Sequence, residues 1–212
     1  DGAPEAYNVI SEEAGYLDRK SEYTWVVDPL DGTSNFAAGL PWFGVIIALF
    51  HRDTPVIGGM YLPTNEKLYL AKAGEGVTLN EKAMILLPSL PLSDHLVAYS
   101  FDFSEDAGKT RSEMDMMARL SKSVRNIRST NSLVDFCYVV EGKLGATLNQ
   151  QTKIWDIAVP WLLIRELGGS VSDIQGNDIQ FDLSQKALSQ NYTILTSGPG
   201  LQQKILDTIH SK

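Results

Sequence analysis

Apolar residues in the first half of the chain occur in short runs rich in β-branched and aromatic side chains. These runs cover residues 23–27, 45–50, 56–62, 67–71 and 77–79. The run 45–50 is continuously apolar, as expected for a strand that is buried on both faces. Turn-forming residues separate several of the runs. The pattern therefore predicts a meander of largely antiparallel strands.

The second half of the chain alternates between strand and helix patterns. Apolar residues in the region 109–120 recur at helical spacing, and Gly142 follows another apolar run at a position typical of a helix C-terminus. Such alternation is typical of a layered α/β unit. The predicted elements of this half are strands 96–100 and 192–196 and helices 109–120, 132–141, 155–167 and 200–210.

The change of pattern falls in a proline-punctuated stretch at residues 88–93. Proline and serine clusters of this kind usually mark connections between packed units. We therefore predict a first lobe over residues 1–90 and a second lobe over residues 91–212.

Composition excludes several classes of protein. The 212 residues carry a formal net charge of −8 without a basic run, which argues against general nucleic-acid binding. No apolar stretch approaches the length needed to cross a bilayer. The single cysteine, Cys137, excludes an intrachain disulfide and a zinc site built from several cysteines. We expect a cytoplasmic protein that uses a cation or backbone amides to hold any anionic ligand.

The segment at residues 25–36 carries the clearest chemical signal. A hydrophobic run leads into Asp28, Pro29 then interrupts regular strand pairing, and Asp31 can return its carboxylate to the same point. Two carboxylates are suitable ligands for Mg²⁺. Residues 32–34 predict a helix start, where backbone amides can bind phosphate. Taken alone, the segment is equally compatible with an ordinary turn followed by a capped helix.

Two further motifs give this segment a context. Glu12 and Glu13 precede it, with Glu12 sixteen positions before Asp28, and Trp155 and Asp156 begin a distant apolar helix. In this order the motifs resemble the signature of the inositol monophosphatase family of Mg²⁺-dependent, lithium-sensitive phosphatases. The resemblance continues through residues 74–80 and 155–169 and covers nearly the whole chain. It implies an αβαβα sandwich whose two lobes complete one site.

The resemblance also implies roles for individual residues. It implies a phosphomonoesterase in which water activated by roughly two to three Mg²⁺ ions attacks phosphorus. The implied metal ligands are Glu12, Asp28, the carbonyl of Leu30, Asp31 and Asp156. The implied catalytic residues are Thr33, Glu12 and Glu13. The implied substrate-binding residues are Asp31, Gly32, Thr33, Ser34, Thr130, Asn131, Ser132 and Asn149.

The chain departs from the family pattern in ways that leave the substrate open. Family members carry an aspartate on an earlier segment that orients water together with the threonine, so we expect the native protein to be longer than this chain. Asn149 replaces a glutamate that holds sugar hydroxyls in inositol phosphatases, so inositol phosphate need not be the preferred ester. Arg128 and Lys153 are candidates to meet a second phosphate, although a solvated surface is the simpler interpretation of each.

Three functions therefore stay open. The first is hydrolysis of a small soluble phosphate ester, and the second is hydrolysis of a sugar bisphosphate or a phosphoadenosine nucleotide. The third is a weakly catalytic family member that acts as a binding or regulatory protein. The expected partner is a small-molecule phosphate ester rather than nucleic acid or a membrane, and we expect a homodimer.

Overall fold

The computed structural model describes residues 6–86 and 90–211, and the first half of the chain forms an eight-stranded sheet. The strands are β1 (Asn8–Ser11), β2 (Gly15–Leu17), β3 (Tyr23–Asp31), β4 (Gly44–His51), β5 (Thr54–Leu62), β6 (Lys67–Lys72), β7 (Gly76–Leu79) and β8 (Lys82–Ala83). Their order is β2-β1-β3-β4-β5-β6-β7-β8. Neighbouring strands are antiparallel except β1 and β3, which are parallel.

A second, five-stranded sheet comes from the other half of the chain. Its strands are β9 (Leu96–Ser100), β10 (Asn126–Arg128), β11 (Ala146–Thr152), β12 (Ser170–Ser172) and β13 (Tyr192–Ser197). Their order is β10-β9-β11-β13-β12. Strand β9 pairs in parallel with both of its neighbours, whereas β13 is antiparallel to β11 and β12. The carboxyl ends of β9 and β11 therefore meet at one edge of the sheet.

Helices pack on both faces of the second sheet. They are α2 (Ala107–Ser121), α3 (Leu133–Val140), α4 (Ile154–Glu166) and α5 (Gln202–Ile209). The short helix α1 (Thr33–Ala37) instead follows β3 and buries none of its residues, and short 3-10 turns lie at Pro63–Asn65, Leu92–Asp94 and Gln185–Leu188. Helix α4 contacts both sheets and α3 packs beside it, while α2 and α5 lie against each other beyond the second sheet. The described residues thus supply four layers, β-α-β-α, and the predicted layered α/β fold is confirmed.

The central layer is held by the apolar surface of α4, whose residues are buried nearly all round the helix. Phe50 of the first sheet, Leu163 of α4 and Ile194 of the second sheet belong to one hydrophobic cluster. A second cluster joins α2 and α5 to the second sheet. The first cluster contains residues of both sheets, so the two halves of the chain share one hydrophobic core. The division into lobes 1–90 and 91–212 therefore stays a prediction. Part of the predicted boundary, Pro88 and Ser89, lies outside the described residues.

The strand and helix predictions largely agree with the structure. The predicted meander over residues 23–79 and all four predicted helices are present. Six strands went unpredicted, namely β1, β2, β8, β10, β11 and β12, because they are short or carry many polar residues. Among the described residues, none of the helices combines the length and the apolar character required to span a bilayer.

Candidate functional site

Most of the predicted site residues line one cleft with a volume of about 330 Å³. The cleft lies where β3 ends and α1 begins, beside the N-termini of α3 and α4 and the ends of β9 and β11. The predicted residues that line it are Glu12, Asp28, Leu30, Asp31, Gly32, Thr33, Ser34, Asn131, Ser132, Asn149 and Asp156. The fold thus brings together side chains that are up to 144 positions apart, from Glu12 to Asp156.

Four other candidates do not line the cleft. Glu13 is exposed in the turn after β1, and the hydroxyl of Thr130 lies 3.0 Å from that of Ser132. The Arg128 guanidinium donates to the neighbouring Ile127 carbonyl. The Lys153 ammonium group donates to the Ser189 carbonyl, at 3.0 Å. The two cations considered for a second phosphate are therefore engaged elsewhere.

An irregularity in β3 places the first two carboxylates. The pairing of β3 with β4 shifts in register between Asp28 and Asp31, as expected where Pro29 supplies no ladder amide. The strand nevertheless resumes pairing at Asp31, so it is longer than predicted. One oxygen of Asp28, one of Asp31 and one of Asp156 all lie within 4.8 Å of one another.

Parallel pairing of β1 with β3 brings Glu12 beside this cluster. Ser11 lies opposite Val27, and the Glu12 amide donates to the Val27 carbonyl at 3.2 Å. The exposed Glu12 side chain lines the same cleft. A strand pairing that was absent from the sequence predictions therefore delivers the fourth carboxylate.

Each of the three clustered aspartates is anchored through one carboxylate oxygen. Asp28 accepts a hydrogen bond from the Leu30 amide at 2.9 Å, and Asp31 accepts one from the Leu133 amide at 2.6 Å. Asp156 accepts from the Thr152 hydroxyl and the Lys153 amide, both at 2.8 Å and both through the same oxygen. Within the described ranges, no hydrogen bond engages the second oxygen of any of the three, so these oxygens are available for a cation.

Burial and mutual repulsion make the ionised cluster unfavourable without a counter-charge. Burial, followed by the charges of Asp31 and Glu12, raises the pKa of Asp28 to about 8. Burial and then Asp156 raise the pKa of Asp31 to about 8, and burial raises the pKa of Asp156 to about 6. No lysine, arginine or histidine lines the cleft in the part of the chain that the structure describes. The oxygen-rich, anionic donor set fits Mg²⁺.

The raised pKa values predict that the metal-free protein loses stability as the pH rises. An unfolded aspartate has a pKa of about 3.9, whereas burial and the neighbouring carboxylates raise the pKa of Asp28 and of Asp31 to about 8 in the folded protein. Protonation thus stabilises the folded state fully below about pH 4, and this contribution is lost as the pH rises through about 8. Calorimetry in EDTA should give a lower Tm at about pH 9 than at about pH 6, and Mg²⁺ should raise the Tm at pH 9. An unchanged Tm in EDTA would contradict this account.

Gly32 connects the carboxylate cluster to α1, and the backbone conformation at this position favours glycine. Its φ is +79°, and a Cβ at this position would lie 2.4 Å from the Trp42 carbonyl oxygen. The Thr33 hydroxyl donates back to the Leu30 carbonyl at 2.9 Å. No side chain of the described residues caps the start of α1, so its first amides are available to an anion in the cleft.

A loop before α3 closes another side of the cleft. The Asn35 side-chain amide donates to the carbonyls of Trp42 and Thr130, at 3.0 and 2.8 Å. The buried Asp135 accepts from the Thr130 amide at 3.1 Å. These bonds fix the segment that carries Asn131 and Ser132 next to Asp31.

Six lining residues were missed by the sequence predictions. They are Asn35, Ser100, Asp102, Phe136, Gln151 and Thr152. A signal existed for two of them, because Ser100 and Asp102 come at the end of the predicted strand 96–100, where polar residues of neighbouring strands meet. Gln151 and Thr152 belong to β11, a strand that was not predicted, although Asn149 of the same strand was a predicted substrate-binding residue.

Comparison with known proteins gives a consistent match. A model described as the inositol monophosphatase family matches residues 5–212. The chain is 35% identical over 172 residues to Nus factor SuhB of Pasteurella multocida, covering 80% of this chain and 64% of that protein. It is 33% identical over 209 residues to a fructose-1,6-bisphosphatase/inositol-1-monophosphatase of Thermococcus kodakarensis, covering 97% and 76%. The extragenic suppressor protein suhB of Bartonella henselae, a solved structure, superposes with a TM-score of 0.85 at 26% identity, covering 97% and 76%. The chain thus spans slightly less than two thirds of the P. multocida relative.

Proposed function

Because the chain belongs to the inositol monophosphatase family, we propose that it acts as a Mg²⁺-dependent phosphomonoesterase on a small soluble phosphate ester. The observation that carries the proposal is the group of three aspartates, whose oxygens lie within 4.8 Å of one another in a cleft lined by described residues without a basic side chain. A cleft of this kind cannot hold a phosphate unless cations neutralise the carboxylates. A bound cation is therefore the condition for anion binding.

The proposed ligands of Mg²⁺ offer only hard oxygen donors. They are the carboxylates of Glu12, Asp28, Asp31 and Asp156 and the carbonyl of Leu30. Two or three ions per site is our expectation from the family resemblance. When bound, Mg²⁺ would polarise the attacking water and neutralise charge that develops on the leaving oxygen.

Backbone amides and a hydroxyl group at the start of α1 are proposed to orient the phosphate and the attacking water. The amides of Gly32, Thr33 and Ser34 at the start of α1 are proposed to donate to phosphate oxygens. The Thr33 hydroxyl, which donates to Leu30, keeps its oxygen as an acceptor for the proton of the attacking water. Glu13 is exposed and outside the cleft lining, so its catalytic role stays a prediction without support from a contact.

Phosphate release from a panel of esters tests the proposal. The panel comprises inositol monophosphates, sugar bisphosphates and a phosphoadenosine nucleotide, each assayed with Mg²⁺, with EDTA and with Mg²⁺ plus Li⁺. We expect Mg²⁺-dependent release from at least one ester, loss of release in EDTA and inhibition by Li⁺. If the native protein releases no phosphate from any of these esters, the enzymatic proposal is wrong.

A second candidate is a binding or regulatory protein with weak catalysis. The name of the P. multocida relative, Nus factor SuhB, supports this candidate because it is not the name of an enzyme. Against it, the carboxylates needed for Mg²⁺ are all present in the cleft. We further propose a cytoplasmic homodimer, whose mass is measurable by light scattering.

A further inference from the structure

One wall of the cleft is formed by polar residues that are not among the proposed metal ligands. Ser100 and Asp102 follow the end of β9, and Asn149 and Gln151 belong to β11. The phosphoryl group is proposed to lie at the aspartate cluster and the start of α1. The alcohol part of the ester then faces this wall, where Asp102 is the ionisable side chain.

Asp102 is held in place by the loop that also contacts the aspartate cluster. Its carboxylate accepts a hydrogen bond from the side-chain amide of Asn131 at 2.9 Å. Asn131 has a φ of +53° and directly precedes Ser132, whose hydroxyl accepts from the Val134 amide at the start of α3. The next amide, that of Leu133, donates to Asp31. Asp102 is therefore positioned relative to the aspartate cluster by a short, hydrogen-bonded segment.

Among the described residues, no lysine, arginine or histidine lines the cleft beside Asp102. Asp102 lines the same cleft as Glu12 and the three clustered aspartates. Lys109 approaches the same wall, but its ammonium group hydrogen-bonds Gln151 and lies 3.7 Å from the buried Glu113. Its positive charge is thus paired with a carboxylate of its own helix.

We propose that Asp102 is a specificity determinant that discriminates against esters with a second phosphate and in favour of esters whose alcohol part is uncharged. This inference rests on the proposed phosphatase function and narrows its substrate class. A second phosphate in the cleft would lie near the Asp102 carboxylate, and no lysine, arginine or histidine among the described lining residues would offset the repulsion between the two negative charges. Like charges repel more strongly in a partly enclosed site than in water. A hydroxyl group would instead donate a hydrogen bond to the same carboxylate.

The test compares one ester pair and one phosphonate pair in the native protein with Mg²⁺. The ester pair is a monophosphate and a bisphosphate of the same sugar alcohol. The phosphonate pair is the corresponding monophosphonate and bisphosphonate, which report binding without cleavage. Wild type is expected to favour the monophosphate in kcat/KM and the monophosphonate in Kd. Asp102→Asn, which keeps an oxygen for Asn131, is expected to reduce both preferences by about tenfold. Raising the salt concentration should also reduce the preference of wild type and leave that of the variant nearly unchanged.

A matched variant and the phosphonates separate the possible failures. Asp115→Asn removes the same charge from an exposed position on α2 and should leave both preferences unchanged. Discrimination between the phosphonates without turnover of any ester would support the role of Asp102 and overturn the phosphatase proposal. An unchanged preference in Asp102→Asn, a wild-type preference for the bisphosphonate, or binding of neither phosphonate would overturn the role of Asp102.

Discussion

Asp28→Asn is expected to lower Mg²⁺-dependent phosphate release by on the order of a thousandfold. Asp28 is 1% exposed, and one of its oxygens lies within 4.8 Å of oxygens of Asp31 and Asp156. An asparagine fills the same space but brings no negative charge to a cation, so Mg²⁺ affinity should fall with activity. Phosphate release and Mg²⁺ titration by calorimetry measure the two effects separately.

The same substitution should stabilise the metal-free protein at high pH. At about pH 9 the wild-type cluster is ionised, and Asp28→Asn removes one buried charge that Asp31 and Glu12 repel. We expect the variant to have the higher Tm in EDTA at pH 9, while Asp115→Asn behaves like wild type. Full turnover in the Asp28→Asn variant would show that the proposed metal ligands are wrong, and a lower Tm would show that its lost activity reflects misfolding.

Gly32→Ala is expected to destabilise the protein by about 3 kcal/mol and to abolish phosphate release. An alanine at this position would need the left-handed region, at φ +79°, and its Cβ would lie 2.4 Å from the Trp42 carbonyl oxygen. A backbone oxygen cannot rotate away as a flexible side chain can. The start of α1 must therefore move, and with it the amides of Thr33 and Ser34. Urea unfolding and the phosphate assay measure the two effects.

Gly39→Ala provides the matched control at the other end of α1. Gly39 has a nearly equal φ of +74°, but nothing lies within 4 Å of a Cβ built there. The Gly39→Ala variant should lose only roughly 1 kcal/mol of its free energy of unfolding, the cost of an alanine in the left-handed region, and should keep its activity. If the two alanine variants are equally stable and active, the close approach at Gly32 does not shape the site.

Sequence reasoning located much of the candidate site because the necessary residue types occur in local motifs. Asp28, Pro29 and Asp31 are close in the chain, and the break in strand pairing that proline imposes was visible in advance. Asp156 was placed correctly in the first turn of a helix. The position of Glu12 beside Asp28 was expected only through the family resemblance, because no local pattern announced a parallel pairing of β1 with β3.

The same reasoning failed where a contact depends on distant segments. For Arg128 and Lys153 the sequence left a second-phosphate role open beside the simpler interpretation of a solvated surface, and their side chains bond to the carbonyls of Ile127 and Ser189 and do not line the cleft. Asp102 was overlooked although it follows the predicted strand 96–100, because its place on the cleft wall depends on the strands that pair with β9. Its proximity to Asn131 results from the pairing of β9 with β10 and β11.

Local patterns were sufficient for five strands of the first sheet, β3 to β7, for the four long helices and for the pair Asp28 and Asp31, because hydrophobic periodicity and proline act over a few residues. Long-range packing was required to bring Glu12 and Asp156 to that pair and to set Asp102 on the cleft wall. These placements depend on strand order and on the burial of α4 between two sheets. No short stretch of sequence specifies such contacts, since they depend on the pairing and packing of separate segments, and some join distant residues, as between Asp31 and Leu133, which are 102 positions apart.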